Sequence, residues 1–589
     1  MKIFRILSIV LTLTGLTLSA RAAALPEFGT PFEINAWQFH DYDMDDLREA
    51  IRRAPEYGVN TVIFSHGLFR SVQAFLDSGD TEATTTRSDG LLARPRVGWK
   101  RDINELGRMA NERGIQWYLW IHEFDDIPTR FLINPDAERV NDLVRTESTR
   151  HPIVNMDHPD LLPFIRDRYE KLLAATPGCA GLVVTYHESD FRIFRNTQVR
   201  SKLRVPDRLY TISKLLYDIC KAHNKELIVR NFFYEPQEVV WFDGMLSRLP
   251  NDVMAMSKTT IHEFDPWYPP DFQHSQIKNR RQIIEIDLGV EKAWGSRGAY
   301  AQAEYIQRYV RRARDIGLAG LVGRAHFWGD DPWNVDTHEI NFYAFSEFMK
   351  RPDRDVDRVL KDWSLRRFPN APQAARWIAS AMKRSQFIQH HGRWHLEFWM
   401  TKSIGSEWGD YDYYFGHILE RSLYKWSLDP EDKQREDLFY HPTMEFYGQL
   451  VAEKDEVIDE VRAGMADLDK ARPHMRPGQM AELDENYRFL LDAARLQREW
   501  IRVYFSQAMH VQNPGRRYKA MAEEAIAALE AVEKTPGITY GLNSRTGRRY
   551  NIDEFVAKMR ERMADPVKAR QEDERILAEV RHRMDVEGN

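Results

Sequence analysis

The chain has 589 residues, of which 43% are hydrophobic, 29% charged and 12% aromatic, with 16 Trp among them. At roughly 150 residues per domain, that length allows two to four domains with ample core, and the composition excludes a disordered, collagen-like or disulfide-scaffold protein. The formal net charge of −6 lacks the basic surplus of a nucleic-acid binder, so no nucleic-acid partner is expected.

Residues 1–24 read as a cleaved signal peptide. Lys2 and Arg5 form a positive n-region and Ile6 to Leu18 an apolar h-region. Ala20-Arg21-Ala22 and Ala22-Ala23-Ala24 both fit a small-residue cleavage site. Cleavage removes three cations, Lys2, Arg5 and Arg21, and takes the charge from −6 to −9. No other stretch approaches the roughly 18 apolar residues that span a bilayer. The expectation is a periplasmic or secreted protein with no membrane span. Cys179 and Cys220 either pair in that oxidising compartment or stay as two buried thiols. Neither has metal-ligand spacing.

Eight short apolar runs follow: Phe32–Trp37, Thr61–Ser65, Gln116–Ile121, Gly181–Tyr186, Glu226–Phe232, Val253–Ser257, Gln282–Ile286 and Gly320–Ala325. Most are preceded by an amphipathic helical pattern ending in Gly or Asn, such as Leu47–Tyr57 before Gly58, Ile103–Arg113 before Gly114 and Ala301–Ile316 before Gly317. A Gly cap followed by a buried strand is the αβ loop of a parallel sheet. Eight such units over about 300 residues predict an α/β fold of the (β/α)8 TIM-barrel type, residues 25–345. Unit six is irregular. Pro266, Pro269 and Pro270 lie between Ser257 and Arg281, where no helix is evident.

Beyond residue 346 the β-runs stop. Leu483, Tyr487, Leu490, Ala494, Ile501 and Phe505 form a stripe at helical spacing, interrupted by Gln497. Ala371–Ile388, Thr443–Leu468 and Tyr518–Glu533 read alike, so residues 346–589 are expected to form an all-helical C-terminal domain. That domain is expected either to form a homodimer or to wall the site. The last 30 residues read as a solvated helix or frayed tail.

Active sites of such barrels lie at the C-terminal ends of the strands, and polar residues gather there. His40 and Asp41 follow the first run, and His66 the second. His122, Glu123, Asp125 and Asp126 follow the third, and His187, Glu188 and Asp190 the fourth. Tyr234 and Glu235 follow the fifth, and Lys258, His262, Glu263 and Asp265 the sixth. Glu285 and Asp287 close the seventh. His326, Trp328, Asp330 and Asp331 follow the eighth. Paired carboxylates across a barrel mouth suit glycoside hydrolysis, in which one protonates the leaving oxygen and another attacks or activates water. Glu188 ends an apolar strand, where burial raises a carboxyl pKa as a general acid needs. Glu263, Asp265, Glu285 and Asp287 are candidates for its partner. Glu285 and Asp287 are two apart and share one strand face. His66, His122, His187 and His326 read as sugar ligands, in preference to a metal centre. Arg230, Lys258 and Arg324 are cations that either meet a substrate carboxylate or pair internally. Trp37, Trp120 and Trp328 either stack on sugar faces or serve as wall, as does Trp333. Asp45 and Asp46 read as helix caps.

The order of these motifs resembles the α-glucuronidases of glycoside hydrolase family 67. Val183-Val184-Thr185-Tyr186-His187-Glu188-Ser189 looks like that family's strand ending in its general-acid Glu. Leu227 to Phe232, Val253 to Pro270 and Ile284 to Gly289 are similar to its following strands. Gly329-Asp330-Asp331-Pro332-Trp333, Asn341 to Phe345 and Asp362-Trp363 look like its last loop and helical junction. The similarity covers about residues 180–370. It implies release of glucuronic acid or its 4-O-methyl ether from xylo-oligosaccharide ends, by inversion and without a metal. Glu188 would be the acid and Glu263 one base. The second base position falls on Ile286, so Glu285 or Asp287 would take it through a one-residue shift. A Lys of the family falls on Val184, and the family's extra N-terminal α/β domain has no counterpart ahead of the first run. The chain therefore reads as a distant relative.

These readings converge on an exported, exo-acting glycoside hydrolase that releases an α-linked uronic acid of glucuronic type from an acidic oligosaccharide or polysaccharide, with inversion and no cofactor. The rival expectations are another glycosidase on acidic polysaccharide, a catalytically silent glycan-binding barrel, and a uronate lyase with His187 or Tyr186 as base.

Overall fold

The computed structural model describes residues 30–39, 44–65, 72–77, 99–135, 152–187, 189–233, 235–261, 264–271, 273–277, 279–289, 298–325, 336–398, 430–533 and 552–588. The expected signal peptide lies outside them. No described helix is long and apolar enough to cross a membrane.

Eight parallel strands close into a barrel: β1 (Ile34–Phe39), β2 (Thr61–Phe64), β3 (Gln116–His122), β6 (Gly181–Thr185), β8 (Glu226–Arg230), β9 (Met254–Lys258), β10 (Gln282–Asp287) and β11 (Gly320–Arg324). They are the eight runs read from the sequence, with ends displaced by no more than two residues. β11 returns to β1 in the register Ile34↔Gly320 to Gln38↔Arg324. The remaining three strands, β4 (Leu132–Ile133), β5 (Ile153–Asn155) and β7 (Val199–Arg200), form a small separate sheet.

Successive side chains of a strand alternate between faces. Here both faces are buried. Ile34, Ala36, Ile63, Tyr118, Trp120, Val183, Ile228, Met254, Met256, Ile283 and Val322 fill the barrel interior. The alternate positions, such as Trp37, Phe64, Leu119, Val184, Val229 and Ile284, join the layer under the helices. Gly58, Gly114 and Gly317 take φ of 69°, 72° and 73°, the left-handed conformation that ends a helix before a strand.

The sixth unit departs from the pattern, as its prolines predicted. Its only described helix is the four-residue Gln273–Gln276. Polar side chains pack there instead. Asn231 Nδ2 donates to Asp271 Oδ2 at 2.9 Å and to Gln273 Oε1 at 2.6 Å, and His274 Nε2 lies 3.0 Å from the Lys258 carbonyl. Asp45 and Asp46 are not caps. They fall inside the first turn of the helix Met44–Arg53, where they favour the positive end of its dipole.

After β11 the helix Asp336–Lys350 completes the eighth unit and runs through the expected boundary at 345. The helices Val356–Arg367, Ala375–Arg393, Met444–Ala471 and Pro477–Gln512 follow. Their inner faces continue the apolar layer around the barrel, and a second core forms beyond it around Phe439, Trp500, Phe505 and Phe555. The predicted stripe from Leu483 to Phe505 is buried along its helix. Gln497, its polar interruption, bonds His395 Nε2 at 3.2 Å. The charge-rich tail forms the helix Pro566–Gly588, which buries Ala569, Ile576 and Val580. Cys179 and Cys220 are two buried free thiols.

Candidate active site

At the C-terminal ends of the strands the inward positions turn from apolar to polar. Gln38 follows Ala36 inward on β1. On the other strands His122 follows Trp120, Arg230 follows Ile228, Lys258 follows Met256 and Arg324 follows Val322. Glu285 and Asp287 follow Ile283. All are buried. The shared face of Glu285 and Asp287 therefore points into the barrel. Gln38 and Asp287 each stand in register with Arg324.

Glu285 is fully committed. Gln38 Nε2 donates to its Oε1 at 3.0 Å, and Arg230 holds Oε2 through Nε at 2.7 Å and Nη2 at 2.6 Å. Two ions removed from water need such geometry to offset a desolvation cost of several kcal/mol each. The Arg230 guanidinium also lies 4.3 Å from the Trp120 ring centre. Its Nη1 has no hydrogen-bond partner among the described residues.

Asp287 is held differently. Its Oδ1 accepts the Gly289 N–H at 3.0 Å, and its backbone carbonyl accepts Gln302 Nε2 at 3.1 Å. Tyr300 is close enough to feel its charge. Burial drives the Tyr300 phenol pKa well up, and the Asp287 carboxylate drives it further.

The remaining cations rest on aromatic faces. Lys258 Nζ is 4.0 Å from the Phe232 ring centre and 4.7 Å from that of Phe264, and the Arg324 guanidinium is 5.4 Å from Phe264. One ring thus gathers two cations from β9 and β11. Such faces attract cations through the ring quadrupole, more strongly in a dry site.

The other expected residues fall in three groups. Trp37 is corrected. It points outward and is wholly buried, with its ring 5.3 Å from both Tyr57 and Phe342. It is a wall residue because an odd–even shift of one position separates it from inward Gln38. Trp120 faces inward, but Arg230 covers one face of its ring. His187 stacks on Phe194 at 4.3 Å and has Nε2 3.3 Å from Glu238 Oε2. Burial holds its pKa below the usual value, against the pull of Glu238. Asp265 turns to the helical region, where it accepts Trp394 Nε1 at 2.8 Å. Glu188, Glu263, His66, His326 and Trp328 lie outside the described residues. Among the described residues no cluster of three or more His, Cys, Asp or Glu has the arrangement of a metal site.

Sequence reading missed Gln38, Phe232, Phe264 and Gln302. Extending the alternation of β1 by one step beyond Ala36 would have found Gln38. The others are loop or helix-entry residues, brought in by the closed barrel.

No family model matches the chain, that of the family 67 α-glucuronidases included, and no curated protein matches it. Among solved structures it is similar to a family GH138 enzyme targeting pectin rhamnogalacturonan II, with a TM-score of 0.56 and 12% identity over 91% of this chain and 67% of that one. A Thermobaculum terrenum O-GlcNAc hydrolase gives a TM-score of 0.43 at 10% identity over 90% and 94%. At 12% identity the first likeness speaks for the fold, a closed parallel barrel followed by helices, and leaves the chemistry to the residues of the site.

Proposed function

We propose that the chain is a glycoside hydrolase that acts from the ends of an acidic glycan and releases an α-linked uronic acid. The observation that carries this reading is the pairing of Lys258 and Arg324 over the Phe264 ring, on the same inner wall as Asp287. Two buried cations that share one ring suit the binding of a sugar carboxylate through charge-assisted hydrogen bonds. A carboxylate on the neighbouring strand then stands near the ring that this anchor orients.

In this reading Glu188, three residues beyond the end of β6 in sequence, protonates the leaving oxygen. Asp287 activates water on the opposite face, with Glu263 as the other candidate. Glu285 is left out of the proton transfers because both its oxygens are bonded to Gln38 and Arg230. Its role is to fix Arg230. His66, His122, His326 and Trp328 complete the proposed sugar-binding set. Inversion requires about 6.5–9.5 Å between acid and base, and retention about 5–5.5 Å.

The test is a proton NMR time course on α-1,2-glucuronosyl xylo-oligosaccharides, with Glu188→Gln as control. Rhamnogalacturonan II fragments join the panel because an enzyme of similar fold targets them. Release of β-glucuronic acid by the native chain alone supports hydrolysis with inversion, and first release of the α-anomer replaces inversion by retention. An unsaturated product would replace hydrolysis by elimination. Binding without turnover on every glycan would leave a silent barrel.

A further inference from the structure

Between β10 and the helix Ala303–Asp315 the chain crosses residues 298–302 without regular structure, yet Ala299, Tyr300, Ala301 and Gln302 are at most 3% exposed. Buried irregular backbone must find its hydrogen-bond partners in side chains. Here they come from two helices beyond the barrel strands. Asn341, in Asp336–Lys350, accepts the Gln302 N–H at 2.8 Å through Oδ1 and donates through Nδ2 to the Tyr300 carbonyl at 2.9 Å. From Ala375–Arg393, Ser385 Oγ accepts the Ala301 N–H at 2.9 Å, and His390 Nε2 lies 2.8 Å from the Tyr300 hydroxyl. Gln302, fixed by Asn341, spends its side-chain amide on the Asp287 carbonyl.

We infer that Asn341 and Gln302 are positioning residues, through which the helix Asp336–Lys350 sets the direction of the Asp287 carboxylate. The logic is geometric. Asp287 is the last residue of β10 and pairs in the ladder with Arg324 of β11, while the pairing with β9 ends at Glu285. The Gln302 bond to its carbonyl adds a hold beyond the ladder, and the Gly289 N–H then meets a carboxylate already aimed. Asn341 does for Gln302 what Gln302 does for Asp287. Its amide supplies the donor and the acceptor at once, which Leu of the same size cannot do.

The inference rests on the reading of Asp287 as the base, and its test separates the two. Gln302→Met keeps the volume and removes the donor. Asn341→Asp keeps the acceptor and removes the other donor, and serves as the second variant. Crystal structures of the native protein and both variants report the Asp287 side chain directly, and kinetics on the substrate found above report its work. The expected result is a displaced Asp287 carboxylate and kcat reduced about tenfold to a hundredfold, the cost of misplacing a reacting group by about 1 Å. KM should stay level and the acidic limb of the kcat profile should move. An Asp287 carboxylate that keeps its place in both variants overturns the inference, whatever the activity. A fully active Asp287→Asn sinks the base assignment alone, and a displaced carboxylate would still uphold the clamp.

Discussion

Arg230 and Glu285, 55 residues apart in sequence, meet as a buried ion pair at 2.6 Å on the inner wall of the barrel. One comes from β8 and the other from β10, so the pair bridges over β9, the strand that carries Lys258. Each ion is intelligible only through the other. Arg230→Met should leave Glu285 charged and uncompensated, at a cost of about 3–5 kcal/mol. Arg230→Met with Glu285→Leu should recover most of that. Urea unfolding of the single and double variants measures both. A double variant no more stable than the single one would locate the loss elsewhere.

The two carboxylates of β10 should separate in kinetics. Asp287→Asn is expected to lower kcat by about 10²–10⁴, the usual worth of a general acid or base, with the unfolding midpoint unchanged. Glu285→Gln weakens the hold on Arg230 and is expected to show mainly in stability. Equal kcat losses with equal stabilities would contradict this division of labour.

If Lys258 and Arg324 receive a substrate carboxylate, Lys258→Met and Arg324→Met should each weaken binding of the free acid. A hydrogen bond to a charged group contributes about 1.5–3 kcal/mol, roughly ten- to a hundredfold in kcat/KM at 1.4 kcal/mol per tenfold. The methyl ester of the same substrate lacks the charge. Native and variant chains should therefore hydrolyse it at similar rates. A variant that loses both substrates equally would point to collapse of the wall.

The polar seam of the sixth unit predicts a pH signature in stability. Burial pushes the Asp271 pKa up to about 7, from an ordinary value of 3.8. A group raised on folding contributes stability that is complete below its unfolded pKa and lost as pH climbs through the folded value. The Asp271 contribution thus fades between about pH 4 and 7. His274 runs the opposite way. Burial, aided by Arg312, lowers it from 6.5 to about 3, so its contribution is complete above about pH 6.5 and is lost as pH falls toward 3. Asp271→Asn should gain stability relative to native between pH 5 and 8, followed by urea titration at each pH. Parallel curves for the two chains would refute the assignment.

Much of the fold was legible because a strand buried on both faces is an unbroken apolar run, and a left-handed Gly announces it. Gly58 and Gly317 did so. The failure of unit six was legible in Pro266, Pro269 and Pro270, which cannot supply helical N–H groups. The inward face of Glu285 and Asp287 followed from a period of two. What escaped was everything that depends on register around the ring. Nothing local to Glu285 says that Gln38 and Arg230 will occupy its oxygens, and nothing local to Phe264 says that two cations will share it. Trp37 shows how narrow the margin is, since one residue of phase separates a wall from a ligand surface. The boundary expected at 345 falls inside the helix Asp336–Lys350. The apolar periodicity of Asp336–Lys350 serves the barrel and its neighbours at once, so composition changes there while packing does not.

Thr30 Oγ1 donates to the Met349 carbonyl across 319 residues of sequence, beside the β1–β11 seam that closes the ring. The bond and the seam can form only after both distant segments have been made. A chain made from its N-terminus offers β1 long before β11 exists, and joining such distant ends is entropically costly and slow. Until β11 is made, β1 lacks its partner on that side, and an unpaired strand edge is a template for other chains. The last stitch of the ring is made by its oldest strand.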